Sequence, residues 1–241
     1  MKRAALIGGL LAVGMGSPSG AAPPKAAEAA AAPKVSQLIV FRDGTARAKT
    51  VSTAATKVNV AGRSCTVGAR TALAALVRSR PSKLTLHDFG SCSRRARDGA
   101  GLFVRSIGGD ANRGQNGWVY KVGRRAATAG AADLGGPFGR GLLKQGQRVT
   151  WFYCRMRDGG CQRTLELKLT TQPGALVATV RGYDDQGKGV AVEGATVSVG
   201  GASGLTDATG RLRLAVASGR YTAVATKPGL VRSFAERAEV R

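Results

Sequence analysis

Cys154-Arg-Met-Arg-Asp-Gly-Gly-Cys161 is the stretch that says most about how this chain folds. Two cysteines flank a glycine-rich turn, and the runs on both sides, residues 147–153 and 163–170, have the composition of β-strands. We therefore expect a β-hairpin that is closed by a disulfide between Cys154 and Cys161.

The turn of this hairpin can be read in two ways. Asp158-Gly159 alone predicts a two-residue turn, but that register places Cys154 opposite Arg163. The two cysteines face each other only if residues 156–159 form a four-residue loop. We expect the covalent bridge to decide the register, and therefore the four-residue loop.

The remaining cysteines are Cys65 and Cys92, so three pairings are possible. We favour Cys154–Cys161 with Cys65–Cys92, which makes the chain a disulfide-stapled β protein. A zinc or thioredoxin-like site is not expected, because the chain has no C-x-x-C motif and His87 is its one histidine. The sequence predicts no metal and no cofactor.

The N-terminus has the pattern of an export signal. A basic start is followed by an apolar run over residues 4–15 and by small residues up to Ala22. The alternative is a retained membrane anchor, but a spanning helix needs about 20 apolar residues and this run is shorter. We expect a signal peptide over 1–22, an Ala/Pro-rich linker over 23–34, and a secreted or envelope-associated protein without a membrane span after cleavage.

Two regions follow the linker. Residues 35–172 alternate strand candidates with one helix over 71–77, capped by Thr71 and ended by Pro81. Residues 173–241 carry short strands at regular turn spacing, which is typical of a small β-sandwich. We therefore predict a mainly β protein: one α+β domain over 35–172 and an antiparallel sandwich over 173–241, with residues 123–146 as a long loop.

The charge is strongly positive and unevenly distributed. The chain has a formal charge of +23, and residues 35–172 carry 24 basic and 7 acidic side chains. Such a surface attracts polyanions, and Arg94-Arg95-Ala96-Arg97 and Arg124-Arg125 are its densest clusters. The alternative is that the Ala-, Gly- and Arg-rich composition reflects a GC-rich genome without a selected partner. Motifs for specific nucleic-acid binding are absent from the sequence.

Several motifs resemble known families. Four stretches resemble uncharacterised secreted domains that are similar to the C-terminal β domain of transcobalamin: residues 71–76 (TALAAL), 103–108 (FVRSIG), 117–123 (GWVYKVG) and 146–153 (GQRVTWFY). Gln147 departs from the acidic residue common there. The resemblance implies a β-grasp-like fold over about residues 35–170. It supports corrinoid binding only faintly, because the matching residues are fold residues and the helical barrel of transcobalamin is missing.

The C-terminal region resembles a second kind of module. Residues 192–199 (VEGATVSV), 206–211 (TDATGR) and 219–222 (GRYT) look like a carboxypeptidase regulatory-like or other Ig-like sandwich. This resemblance implies a spacer or an interaction platform on an exported protein.

Candidate binding residues are aromatic and basic. Trp118 with Tyr120, and Trp151 with Tyr153, occur at period two on neighbouring strand candidates, so each pair shares a face. The four rings are either a packed core or a platform for a ring-shaped ligand, and we judge the core interpretation the better one. Arg124 and Arg125 are the basic residues that we expect near a ligand.

Motifs for catalysis or for calcium binding are weak. No nucleophile–base pair and no paired carboxylates are evident, so we do not expect an enzyme. Asp110, Asn112 and Asn116 have part of a calcium-loop pattern, but Lys121 stands where the bidentate glutamate is required. We therefore expect an ordinary Asn/Gly turn there.

Together these observations predict a secreted, non-enzymatic binding module of an actinobacterial-type cell envelope. Its partner would be an anionic wall polymer or a surface protein. The alternative is an extracellular carrier of a small ligand, for example a corrinoid, that uses the aromatic strands.

Overall fold

The polypeptide backbone is organised around a mixed β-sheet. The computed structural model describes residues 31–90, 92 and 101–241, and in this part of the chain it contains 18 strands and one helix. The predicted mainly β fold is therefore confirmed. The predicted signal peptide and most of the predicted linker lie outside the described residues.

The mixed sheet has five strands: β1 (Lys34–Val40), β2 (Ala46–Ser52), β8 (Gly117–Val122), β9 (Arg125–Ala126) and β10 (Arg148–Cys154). Their order in the sheet is β2-β1-β10-β8-β9. The central strands β1 and β10 are parallel, and every other pair is antiparallel.

One helix covers a face of this sheet. Helix α1 (Ala72–Ser79) begins at Thr71, whose hydroxyl accepts a hydrogen bond from the N–H of Ala74 at 3.1 Å, as the sequence predicts. It ends at Arg80, which adopts a left-handed conformation just before Pro81. The helix packs against β1 and β2, and its Leu73 and Leu76 are fully buried in the core on this side of the sheet.

Two smaller antiparallel groups complete the N-terminal part. One is a hairpin of two strands and the other is a sheet of three strands. A disulfide joins Cys65 to Cys92, as predicted. The strands are β3 (Thr56–Val60), β4 (Arg63–Val67), β5 (Thr85–Asp88), β6 (Leu102–Ile107) and β7 (Asp110–Ala111).

The C-terminal part is a sandwich of two four-stranded sheets that share a second hydrophobic core. One sheet contains β11 (Thr164–Gln172), β12 (Ala175–Tyr183), β13 (Gly189–Ala191) and β16 (Arg211–Ala215). The other contains β14 (Thr196–Val199), β15 (Ala202–Leu205), β17 (Gly219–Thr226) and β18 (Glu236–Val240).

The predicted boundary at residues 171–173 falls in the turn between two paired strands. Strand β11 forms a hairpin with β12 over its whole length, and its Leu165 and Leu167 lie in the core of the sandwich. The change from one core to the other therefore comes before Thr164, close to the disulfide hairpin. The reason is the alternation of β11, which gives it an apolar face that the sandwich buries.

The mixed sheet and the sandwich meet through buried and charged side chains. Lys121 of β8 is completely buried, and its ammonium donates to the carbonyls of Tyr183 at 3.0 Å and Asp184 at 2.9 Å. The same ammonium lies 3.2 Å from the carboxylate of Asp185. Burial lowers the pKa of Lys121, and Asp185 opposes this effect in part.

The disulfide hairpin differs from the prediction in its turn. Cys154 and Cys161 are bonded, as predicted. However, Arg157 and Gly160 exchange two backbone hydrogen bonds around Asp158-Gly159, so the four-residue loop is wrong. Both turn residues have positive φ, 50° and 76°, as a type I′ turn requires.

The two-residue turn is compatible with the bridge because the regular ladder stops early. Strand β10 ends at Cys154 and β11 begins only at Thr164. The irregular backbone between them brings the Cα atoms of Cys154 and Cys161 to 5.2 Å, which is within the range for a disulfide. The two cysteines therefore do not need to be directly opposed in a ladder.

Candidate functional site

The four predicted aromatic residues lie side by side on the helix-covered face of the mixed sheet. In the antiparallel pairing of β8 and β10, Trp151 is opposite Tyr120 and Tyr153 is opposite Trp118. The Tyr120 and Trp151 rings are stacked with centroids 4.9 Å apart, and Trp118 meets Tyr153 edge-on at 6.0 Å. All four side chains are buried in the core of this part, and each is less than 10% exposed.

Three of these rings also line a cavity of about 300 Å³. Trp118, Tyr120 and Trp151 form one wall, and Tyr153 is not part of it. Phe103 of β6 lines the same cavity and its side chain is 46% exposed, so the cavity reaches the surface there. The rings therefore serve both as core and as cavity wall, which combines the two interpretations that the sequence allows.

The opposite wall comes from the long loop over residues 123–146. Its small side chains at positions 126, 127, 129 and 131, together with Gly130, face the cavity. A longer side chain at any of these alanines would occupy part of the space. The loop therefore supplies one wall of the site and the strands supply its aromatic surface, while Asp185 is the one acidic residue of the lining.

This loop is fixed although it has little regular secondary structure. Leu143 is fully buried, and its N–H and carbonyl bond Arg70 at 2.8 and 3.1 Å. The carbonyl of Ala131 accepts from the N–H of Leu73 in helix α1 at 2.8 Å. Gly136 has a positive φ of 81°, and a Cβ there would lie 2.0 Å from the carbonyl oxygen of Gly141. The loop is thus held against the helix and the sheet, and the cavity wall is preformed.

The polar atoms around the cavity are not equally satisfied. The indole N–H of Trp118 donates to the carbonyl of Asp110 at 2.7 Å, and the Tyr120 hydroxyl donates to that of Ala129 at 3.0 Å. Burial and the nearby Asp133 carboxylate raise the pKa of Tyr120, so its hydroxyl stays protonated. By contrast, the buried indole N–H of Trp151 has no hydrogen-bond partner among the described residues.

The predicted basic residues are used within the chain. The guanidinium of Arg124 forms two hydrogen bonds with the carboxylate of Glu166, at 2.6 and 2.8 Å, and lies over the Tyr183 ring at 4.6 Å. That of Arg125 lies over the Phe138 ring at 5.3 Å. Neither residue lines the aromatic cavity. The other predicted cluster, Arg94-Arg95-Ala96-Arg97, lies outside the described residues.

The partial calcium motif forms a structural turn. One Asp110 carboxylate oxygen accepts from the N–H of Arg42 at 2.9 Å, and the side-chain oxygen of Asn112 accepts from the N–H of Trp118 at 2.8 Å. The side-chain oxygen of Asn116 accepts from the N–H of Met156 at 2.8 Å. In the described part of the chain, no cluster of three acidic, histidine or cysteine residues could hold a metal ion.

Sequence reasoning missed several residues of this region. The sequence marks Lys121 only as a departure from the calcium pattern, although its place in an alternating strand puts it on the face opposite Tyr120. The sequence places Phe103 on a strand but gives no sign that it lines a cavity, and the alanines of the loop carry no signal because the loop has no periodicity. Helix α1, the one helix of the described residues, lacks the length and apolarity that crossing a membrane requires.

No protein-family model, curated protein or solved structure matches this chain. The resemblances to the transcobalamin C-terminal β domain and to Ig-like modules therefore stay predictions from their motifs.

Proposed function

We propose that this protein is a secreted, non-enzymatic binding protein for a small, flat and mainly apolar molecule. The observation that carries this proposal is the cavity of about 300 Å³ between the aromatic strands and the loop. Its preformed apolar walls and few polar groups are typical of small-molecule sites. The two disulfides indicate an oxidising compartment, which supports an extracellular location.

The size and chemistry of the cavity define the ligand class. A cavity of about 150 Å³ accommodates one benzene ring, so this one suits a molecule of about two fused rings. Trp151 lines the cavity and its buried N–H has no partner among the described residues, which costs about 1–3 kcal/mol, so an acceptor on the ligand would stabilise the complex. We therefore expect a bicyclic molecule with one hydrogen-bond acceptor. A corrinoid is larger, and the cavity volume does not favour it.

Two probes of the same shape test this proposal. Quinoline carries a ring nitrogen that can accept a hydrogen bond, and naphthalene does not. Isothermal titration calorimetry on the full chain should show binding of both, with quinoline about 2- to 10-fold tighter because of one additional hydrogen bond. Absence of binding for both probes would overturn the proposal.

Variants locate the binding to the cavity. Ala127→Leu fills the space between the loop and the rings, and it should abolish quinoline binding. Ala217→Leu adds the same atoms at an exposed position and should leave binding unchanged. Trp151→Phe removes the unpaired donor, and it should make the affinities for quinoline and naphthalene equal. Unequal affinities in this variant would assign the acceptor contact to another group.

The anionic-polymer hypothesis finds less support at its predicted residues. Arg124 and Arg125 contact Glu166 and Phe138 of the same chain, so they are not poised for a polymer. Attraction of polyanions by the overall positive charge stays a prediction.

A further inference from the structure

A second cavity lies on the same face of the mixed sheet, at its other edge. Its volume is about 310 Å³, and it lies between the end of helix α1 and strands β1 and β2. It shares no lining residue with the aromatic cavity. An inference about it therefore does not depend on the function proposed above.

The register of the edge strand explains the chemistry of this cavity. Arg47 pairs with Ile39, and Lys49 pairs with Gln37. Residues that are directly opposed in a ladder share one face of the sheet, so β2 places two cations on the face that α1 covers. Arg80, at the end of α1, is the third cation that lines the cavity.

Within the lining of this cavity the three cations have no anionic counterpart, although Arg47 also lines a neighbouring cavity that contains Asp43 and Asp110. None of the residues that line the cavity is acidic. Arg47, Lys49 and Arg80 form no ion pair with any residue in the described part of the chain. Three like charges around one cavity repel each other, and an anion bound between them would remove this repulsion.

Gln37 provides the second, independent observation. Its side chain is 1% exposed and lines the cavity, yet neither its amide nitrogen nor its amide oxygen has a hydrogen-bond partner among the described residues. A buried amide with both groups unpaired costs several kcal/mol by the usual scale. Leucine has nearly the same volume and would avoid this cost.

The two observations together select one ligand class. An oxyanion without an O–H group, such as sulfate, satisfies the cations and the amide nitrogen, but it cannot donate to the Gln37 oxygen. A neutral sugar satisfies the amide, because a hydroxyl both donates and accepts, but it leaves the cations without a counter-charge. We propose that this cavity binds an anionic sugar unit, with the carboxylate or phosphate on the cations and a hydroxyl on Gln37.

Chemical-shift titration of the ¹⁵N-labelled full chain tests this proposal. The probes are glucuronate and glucose 6-phosphate, with glucose and sulfate as the partial ligands. The Gln37 side-chain amide signals should shift with either sugar anion, and the comparison identifies the preferred acid group. Each partial ligand should bind at least about fivefold more weakly, because it leaves the amide oxygen or the cations unsatisfied. Equal affinities for glucuronate and glucose would overturn the role of the cations.

Variants separate the contributions. Gln37→Leu should weaken binding of the sugar anions at least about fivefold while leaving the fold intact. Arg47→Gln should weaken it and reduce its salt dependence, whereas Lys57→Gln removes the same charge from an exposed site on β3 and should have no effect. Wild-type affinity in both Gln37→Leu and Arg47→Gln would refute the site. Neither Gln37→Leu nor Arg47→Gln should change quinoline binding, so this proposal and the proposed function can fail separately.

Discussion

Replacement of Lys121 by methionine tests how the mixed sheet is held to the sandwich. Methionine keeps the length of the apolar stem and removes only the ammonium. That ammonium donates to two carbonyls, of Tyr183 at 3.0 Å and of Asp184 at 2.9 Å. A hydrogen bond to a charged group contributes about 1.5–3 kcal/mol, so the two bonds together contribute about 3 kcal/mol or more.

Two effects reduce this number. The ammonium no longer has to be desolvated, and burial is the main reason why its pKa is lowered. Asp185, which faces the ammonium at 3.2 Å, is 23% exposed and can recover some hydration. We therefore expect Lys121→Met to lower the free energy of unfolding by about 2–3 kcal/mol.

Urea unfolding with the disulfides intact measures this change. Lys168→Met is the matched control, because Lys168 is exposed on β11 and its replacement should change stability by less than about 0.5 kcal/mol. If Lys121→Met equals or exceeds the wild type in stability, the charged contact does not stabilise the junction, and the reasoning is refuted.

The pH dependence of the free energy of unfolding is a second test of the same contact. Because the folded pKa of Lys121 is below its ordinary value of 10.5, the unfolded chain binds more protons between these two values. The wild type should therefore gain stability relative to Lys121→Met as the pH rises through this interval. A constant difference would mean that the folded pKa is not lowered.

The remaining predictions concern the two disulfides, the helix cap and one turn. Each disulfide can be removed by replacing both of its cysteines with serine. In the chain-entropy model, loss of Cys65–Cys92, whose cysteines are 27 residues apart, should lower the free energy of unfolding by about 3.5 kcal/mol, and loss of Cys154–Cys161, whose cysteines are 7 apart, by about 2.4 kcal/mol. Urea unfolding checks this order. Thr71→Ala should lower the free energy of unfolding by about 1 kcal/mol because it removes the cap of α1. Thr71→Ser keeps the hydroxyl and should retain most of that stability. Asp207 has a pKa lowered by hydrogen bonds within its turn, first from a threonine hydroxyl. Its contribution should be present above its ordinary value of 3.8 and be lost as the pH falls below it, so thermal unfolding of Asp207→Asn should vary less with pH in this range.

Much of the fold could be predicted because local patterns agree with the tertiary structure. The alternating strands β8 and β11 and the capped helix α1 occur within a few residues of their predicted positions. Strand β2 was not predicted, because it carries Arg47 and Lys49 where a core strand would carry apolar residues. It forms because β1 supplies its hydrogen bonds and because Arg47 and Lys49 stay exposed at the edge of the sheet.

The binding sites could be predicted only in part. Period two was sufficient to place Trp118 and Tyr120 on one face, and strand pairing then brought Trp151 next to Tyr120. The cavity itself depends on the path of residues 123–146, which is set by contacts with Arg70 and Leu73 that are distant in sequence. Whether a buried polar group has a partner is likewise a property of the packed structure.

Gln37 and Trp151 both have buried polar groups without a hydrogen-bond partner among the described residues. They lie on adjacent strands and on the same face, where each side chain lines a different cavity. Leucine would fill the place of Gln37 without an unpaired group, so selection for stability alone would favour it there. Phenylalanine at position 151 would remove the unpaired N–H together with part of the packed indole, so its stability combines two opposing effects. If Gln37 is kept for binding, Gln37→Leu should hold or raise the unfolding free energy while it weakens binding of the sugar anion. A loss of stability in Gln37→Leu would show that its amide is satisfied within the fold, and the second cavity would then lose its chemical rationale.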